Sequence, residues 1–258
     1  LKEWRETIKI ANGILLVTGP TGSGKTTTLY ATLNTLNSVA VNIMTIEDPI
    51  EYSLDNINQS QVNNKAGLSF SVALKTMMRQ DPDIILFGEM RDTETIELAI
   101  RAALTGHLVF STLHTNDASS TFTRLTEMGV DTCLVSSTVR AILAQRLIRL
   151  LCPRCKKPVE KSDDLLKVIG VDEWPEYTAI HEPVGCIHCR NSGYVGRSGI
   201  FELLIPNQEV KDLIIKGADS DEIEAAAIRS GMYSLNQAAK EKVLLGETSA
   251  EEVLRVTL

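Results

Sequence analysis

Gly19-Pro20-Thr21-Gly22-Ser23-Gly24-Lys25-Thr26 is the stretch that decides the fold. It follows the apolar run Ile14-Leu15-Leu16-Val17 and precedes an Ala/Leu/Thr segment of helical character. Its spacing, G-x-x-x-x-G-K-[ST], is that of a phosphate-binding loop. Glycines let the backbone turn tightly and aim successive N–H groups at phosphate oxygens. The helix behind adds the partial positive charge of its N-terminus. In that arrangement Lys25 reaches the β- and γ-phosphates and the Thr26 hydroxyl holds Mg²⁺. Gly19, Thr21, Gly22, Ser23, Gly24 and Thr27 complete the candidate nucleotide-binding positions. An ordinary glycine-rich turn is the alternative, and the strand before and helix after argue against it. The chain is expected to bind a nucleoside triphosphate.

Bulk properties narrow the class. The 258 residues allow one large domain, or a main domain with small appendages. Hydrophobic content of 43% with 23% charged residues is that of a soluble globular protein. No apolar run approaches the ~20 residues needed to span a bilayer, and no secretory signal opens the chain. A net charge of −7 argues against a broad nucleic-acid surface. The first residue is Leu1 rather than Met, which predicts a piece of a longer protein. A reducing compartment is expected for the five cysteines, where spacing points to metal more often than to disulfide.

Outward from the loop, Trp4, Ile8 and Ala11 fall at helical spacing in a short lead-in, and Gly13–Thr18 reads as a strand buried on both faces. Helix 25–37 follows. A second strand over 41–46 ends in Glu47-Asp48-Pro49-Ile50-Glu51. Open α/β sheets place ligand groups at such carboxyl ends. One of these carboxylates could deprotonate an attacking water and another steady Mg²⁺; a plain acidic turn is the alternative. Residues 57–62 alternate as a half-exposed strand, and Ser69 caps a helix carrying Val72, Met77 and Met78.

Ile84-Ile85-Leu86-Phe87-Gly88-Glu89 has the shape of a Walker B strand in which Gly88 replaces the usual aspartate, leaving Glu89 for the water shell of Mg²⁺. Asp92 caps helix 93–104, whose Ile96, Ala99, Ile100, Ala103 and Leu104 form an apolar stripe. A buried strand then runs from His107 to a polar end at His114-Thr115-Asn116. His114 is the candidate γ-phosphate sensor; His107, at the strand's far end, reads as structural. Helices are expected around 117–128 and 132–145, bearing Arg124, Arg140 and Arg146; such lone arginines are usually solvated.

A second strong signal is Cys152-Pro153-Arg154-Cys155 with Cys186-Ile187-His188-Cys189. Paired C-x-x-C knuckles supply four thiolates that can close tetrahedrally on one structural Zn²⁺. A redox pair is the alternative, disfavoured because neither knuckle opens a helix after a strand. Cys133 stands alone and reads as a buried small hydrophobe. Beyond, Ile200–Leu204 reads as a short strand after a glycine-rich turn. The tail is helical, with caps near Ser220 and at Ser249 and a stop at Gly246.

Four blocks together resemble one family, the hexameric ATPases of type II secretion and type IV pilus assembly. They are the phosphate loop; residues 46–51, matching the family's aspartate box; Phe87-Gly88-Glu89-Met90-Arg91-Asp92, its atypical Walker B; and Thr105-Gly106-His107 through His114-Thr115-Asn116, its histidine box. The cysteine knuckles favour the secretion and pilus-extension branch over the retraction branch. The resemblance implies an α/β fold: a RecA-like ATPase core over 1–148, a tetracysteine zinc subdomain over 149–199 and a C-terminal helical part over 200–258. It implies ATP, Mg²⁺ and Zn²⁺ as cofactors. Glu51, with Glu47, would activate water, Glu89 would serve Mg²⁺, and His107 and His114 would read the nucleotide state.

It further implies a homo-hexamer on the cytoplasmic face of the bacterial inner membrane. Such a ring would drive pilin or pseudopilin fibre assembly through a membrane platform protein and a cytoplasmic-domain adaptor, without nucleic acid. Two departures stand out. Val41 occupies a place where many secretion members carry arginine. The family's longer N-terminal half, with arginines that reach the phosphates, is not in this chain, so slow hydrolysis is expected of this piece alone. A nucleic-acid-dependent RecA-type motor and a non-hydrolysing nucleotide-gated scaffold are the competing functions.

Overall fold

The computed structural model describes residues 2–257 except 161, 163–166, 168, 172 and 175–177. The described residues form two compact units: residues 1–144 with 203–232, and residues 145–202 with 233–258.

The first unit is built on parallel strands whose apolar runs require cover on both faces. These are β1 (Gly13–Thr18), β2 (Ile43–Glu47), β3 (Asn58–Gln61), β4 (Ile84–Phe87), β5 (Leu108–Leu113) and the first half of β6 (Val139–Leu151). Their order across this unit's sheet is β3-β2-β4-β5-β1-β6, and a later strand, β9, spans Tyr194–Leu204. Every residue of β1, β4 and β5 is buried. Parallel registers pair Thr18 with Leu113, Phe87 with Ser111 and Ile46 with Phe87. The carboxyl ends of β1, β5, β4 and β2 therefore lie side by side.

The helices follow their caps. In α1 (Lys2–Thr7), Trp4 is buried and its indole N–H donates to Thr32, whereas Ala11 is exposed beyond the helix. α2 (Lys25–Leu36) starts at Gly24. α3 (Phe70–Met77) takes its first-turn cap from Ser69 and buries Met77, but turns Val72 outward. α4 (Thr93–Leu104) is capped by Asp92 and buries Ile96, Ala99, Ile100 and Ala103, leaving Leu104 exposed. α5 (Ser119–Glu127) and α6 (Thr132–Thr138) come next. The chain later returns as α7 (Gln208–Lys216) and α8 (Ser220–Arg229), where Lys211 and Ile215 carbonyls accept from Ser136 and Thr132 of α6.

One expectation fails here. The helix anticipated over 132–145 stops at Thr138, and Val139 begins a strand of 13 residues. Arg140 and Arg146 therefore sit on a strand, Arg146 buried. The run Val139-Arg140-Ala141-Ile142-Leu143-Ala144 fits a buried helix or a buried strand equally by composition. The strand wins because it hydrogen-bonds to the free side of β1, pairing Leu16 with Ile142 and Thr18 with Ala144. Likewise β9 begins at Tyr194, so the glycines at 196 and 199 lie inside the strand rather than before it.

The second unit holds the remainder of β6, the short pair β7 (Lys157–Pro158) and β8 (His181–Glu182), most of β9, α9 (Leu235–Leu244) and α10 (Ala250–Thr257). Ile169, Ile180 and Val243 form one apolar cluster within it. Glu252, with no exposed surface, ties α10 down. Its carboxylate accepts from the Arg149 backbone N–H, the Arg149 guanidinium (2.6 and 2.8 Å) and Arg255 (2.6 and 2.8 Å). Burial opposes the charge, but these donors hold the carboxyl down at about 2. Arg149 also lies 4.1 Å over the Tyr194 ring. Among the described residues no helix is long and apolar enough to cross a membrane.

Candidate active site and metal centre

The phosphate loop links β1 to α2. Gly22 and Gly24 adopt φ of 78° and 89°, the left-handed region that disfavours a Cβ. Nothing crowds a Cβ built on Gly22, so backbone conformation rather than space demands glycine there. Lys25 folds back over the loop, donating to the carbonyls of Gly19 (2.8 Å) and Pro20 (3.1 Å). The first turn of α2 has no side-chain cap and no acidic residue. A helix start without a side-chain cap or a carboxylate suits an anion. Thr26 and Thr27 sit in that turn, and Ser23 is buried beneath it.

Glu47, 4% exposed, is the last residue of β2. Its carboxylate accepts from the Tyr30 hydroxyl, from Thr45 Oγ1 (2.6 Å) and from Gln59 Nε2 (3.1 Å). Burial, reinforced by Glu47, pushes the Tyr30 phenol well above its ordinary range, so it stays a donor. Glu51 lies on the following loop with its side chain exposed, and its backbone N–H donates to Tyr30 Oη (3.4 Å).

Glu89 follows Gly88 at the end of β4. Its carboxylate is spanned by Arg91 Nε at 2.8 Å and His114 Nε2 at 3.4 Å. The strand order explains the meeting: β5 lies between β1 and β4, so His114 emerges between the phosphate loop and Glu89. His107 is not brought there. It precedes β5 at the opposite end, its carbonyl accepting from Gly13 N and its Nδ1 at 2.9 Å from the Ala102 carbonyl. Six residues of β5 put roughly 20 Å between the two histidines.

Three contributors escaped sequence reasoning. Thr18, the last residue of β1, donates to the Leu113 carbonyl and accepts from Thr115 N, splicing the loop after β5 to the strand before the phosphate loop. Tyr30 and Gln59 are internal polar residues whose partners are distant in sequence.

In the second unit, the Sγ atoms of Cys152, Cys155, Cys186 and Cys189 all lie within 4.8 Å of one another, with edges of 3.9, 3.8 and 3.7 Å. A tetrahedron of metal–sulfur bonds near 2.3 Å has edges of roughly 3.8 Å, and a disulfide would need about 2.05 Å. The donor set therefore fits a closed four-thiolate metal site. Backbone N–H groups of Gly185, Cys186 and Gly193 point at sulfur from 3.2 to 3.3 Å. Desolvation pushes thiols up, as at Cys155 (about 11), but at Cys189 the Cys186 and Gly193 N–H donors outweigh it and bring the thiol to about 6. Cys133, expected to be buried, is instead exposed at the start of α6 and apart from the cluster.

A phosphate loop at the end of a parallel strand, flanked by acidic strand ends on the same edge of the sheet, defines the P-loop class of α/β proteins. Comparison with known proteins narrows this. Residues 1–255 match the family described as type II/IV secretion system protein, and the chain belongs to that family. It is 50% identical over 252 residues to type II secretion system protein E of Pseudomonas aeruginosa, covering 98% of this chain and 50% of that protein. It is 48% identical over 254 residues to the type IV pilus assembly ATPase PilB of Myxococcus xanthus, covering 97% of this chain and 45% of that protein. Among solved structures, the pilus retraction motor PilT with bound ADP superposes with a TM-score of 0.75 at 31% identity, covering 99% of this chain and 64% of that one. The chain thus spans about half the length of the curated relatives it matches.

Proposed function

We propose that this chain is the ATP-hydrolysing portion of a motor for type II protein secretion or type IV pilus assembly. The observation that carries this is the uncapped start of α2 flanked by the exposed Glu51 and by Glu89 on one sheet edge, in a chain of this family. Gly19, Thr21, Gly22, Ser23, Gly24, Lys25, Thr26 and Thr27 would seat the phosphates of ATP. The Thr26 hydroxyl and Glu89 would hold Mg²⁺, which when bound neutralises charge on the terminal phosphates. Glu51, whose side chain is exposed, takes the proton of the attacking water as the water oxygen bonds to the γ-phosphorus and the bond from that phosphorus to its bridging oxygen breaks. Glu47, already holding three donors, acts through Tyr30 rather than on water. His114 beside Glu89 would sense the γ-phosphate, while His107, remote from its own phosphate loop, would read nucleotide held by a neighbouring copy.

Zn²⁺ is the metal we assign to the four cysteines, in a structural role because no coordination position is left open. The functional division we propose is an ATPase core over 1–148, a zinc subdomain over 149–199 and a helical part over 200–258. Working as a homo-hexamer peripheral to the cytoplasmic face of the inner membrane, the motor would act on a platform protein and an adaptor, with no nucleic acid.

ATP turnover per subunit, measured across protein concentration with Lys25→Ala as control, tests this. A rate that climbs with concentration and vanishes in Lys25→Ala is the expected result. Turnover untouched by Lys25→Ala, or raised by single-stranded nucleic acid, would overturn it.

A further inference from the structure

Tyr30 sits on the inner face of α2 with no exposed surface, where a phenylalanine would fill the same space. Its hydroxyl is fully engaged: it donates to Glu47 Oε2 and accepts from Glu51 N (3.4 Å) and Gln59 Nε2 (3.4 Å). Gln59, on β3, binds the same loop from the other side, its Oε1 accepting from Leu54 N at 2.7 Å and its Nε2 reaching the Tyr52 carbonyl at 3.3 Å. Gln61 Oε1 accepts from Ile50 N at 3.3 Å. The Tyr52 ring meets the Tyr30 ring edge-on, centroids 4.7 Å apart. Residues 48–54 contain no helix or strand of their own, so these side chains set the loop's course. The helix that supplies Tyr30 is the one that begins with Lys25 and Thr26.

We infer that Tyr30, with Gln59, is a positioning residue that fixes the Glu51 loop to the phosphate-loop helix, so that the seat of the phosphates and the water-activating carboxylate share one frame. This rests on the assignment of Glu51 proposed above. A buried carboxylate held only by neutral donors needs each of them, and Glu47 is what orients the Tyr30 hydroxyl so that its lone pairs face the loop. Displacement of a base by about 1 Å is enough to cost on the order of 100-fold in rate while leaving substrate binding intact.

The test compares steady-state ATP hydrolysis by the unaltered protein, Tyr30→Phe, Gln59→Leu, Glu51→Gln and the Tyr30→Phe/Glu51→Gln double variant, alongside amide hydrogen exchange over residues 50–54. Tyr30→Phe is expected to lower kcat by about tenfold or more with KM for ATP within about twofold, and the double variant to be no slower than Glu51→Gln alone. Exchange at Glu51 and Leu54 is expected to quicken by about tenfold, with β1 unchanged. Full kcat in Tyr30→Phe, or losses that multiply in the double variant, would overturn the inference. Glu51→Gln at full rate would instead remove the assignment of the base, an outcome distinct from an inactive Glu51→Gln beside a fully active Tyr30→Phe. Should Tyr30→Phe fail to fold, Gln59→Leu on the half-exposed β3 carries the same expectations and the same overturning result.

Discussion

The start of α2 and the surroundings of Glu252 differ in kind: the first has no side-chain cap, and the second encloses a charge completely. The first turn of α2 has neither cap nor acid. Elsewhere the same need is met within the protein: Asp92, Asp131, Asn207, Asp219 and Ser234 each accept from first-turn N–H groups of the helix they precede. Glu252 goes further, burying a carboxylate under two guanidiniums that are themselves half exposed. Closed polar groups serve stability. The uncapped start of α2 instead lies directly behind the phosphate loop, where an anion can take the place of water.

The cysteine cluster should show the largest effect on the closed side. Cys189→Ser, or treatment with a strong chelator, is expected to unfold the unit of residues 145–202 and 233–258, because binding free energy of a structural metal is folding free energy, commonly about 10 kcal/mol or more. Hydrogen exchange should show that unit losing protection while β1, β4 and β5 keep theirs; protection retained in both would contradict a structural metal.

On the open side, Gly24→Asp puts a carboxylate and a Cβ at the left-handed position before α2. It is expected to weaken Mg-ADP binding by about 100-fold, close to 2.7 kcal/mol, measured by calorimetry. Unchanged affinity would mean that phosphate sits elsewhere.

Glu252→Gln sharpens the contrast. Breaking a fully buried pair costs about 3–5 kcal/mol, and the half-solvated guanidiniums here reduce that to about 2–3. The sign with pH follows from a carboxyl held at about 2, below its ordinary value of 4.5. Its contribution is complete above about 4.5 and is lost as pH falls toward 2. Urea melts between those limits should show the unaltered protein losing stability faster than Glu252→Gln. Parallel losses would contradict the clamp.

The smallest effect belongs to an ordinary cap. Asp92→Ala, which removes the acceptor for Thr95 N at 2.8 Å, is expected to cost about 1 kcal/mol and leave nucleotide affinity untouched. A change in affinity would show that helix capping and the phosphate site are not separable.

Much of the open region was legible in the sequence because glycine spacing is a backbone requirement, and the apolar runs of β1, β4 and β5 have no other use in a chain of this composition. The polarity of β5 also separated His114 from His107 before any coordinates. Composition could not resolve β6, since Val139–Ala144 satisfies helix and strand alike until the vacant side of β1 is known. Nor could it show that Tyr30, Glu47 and Gln59 meet, or that Arg149 and Glu252, 103 positions apart, enclose one charge. Those contacts depend on which strands neighbour one another and on where the tail returns, and neither leaves a local pattern.

The most direct measurement is calorimetric titration of this chain with Mg-ADP, unaltered and as Lys25→Ala. One nucleotide per chain, with affinity lost in Lys25→Ala, is the predicted result. Binding that survives Lys25→Ala would contradict the claim that the uncapped start of α2 is the nucleotide site.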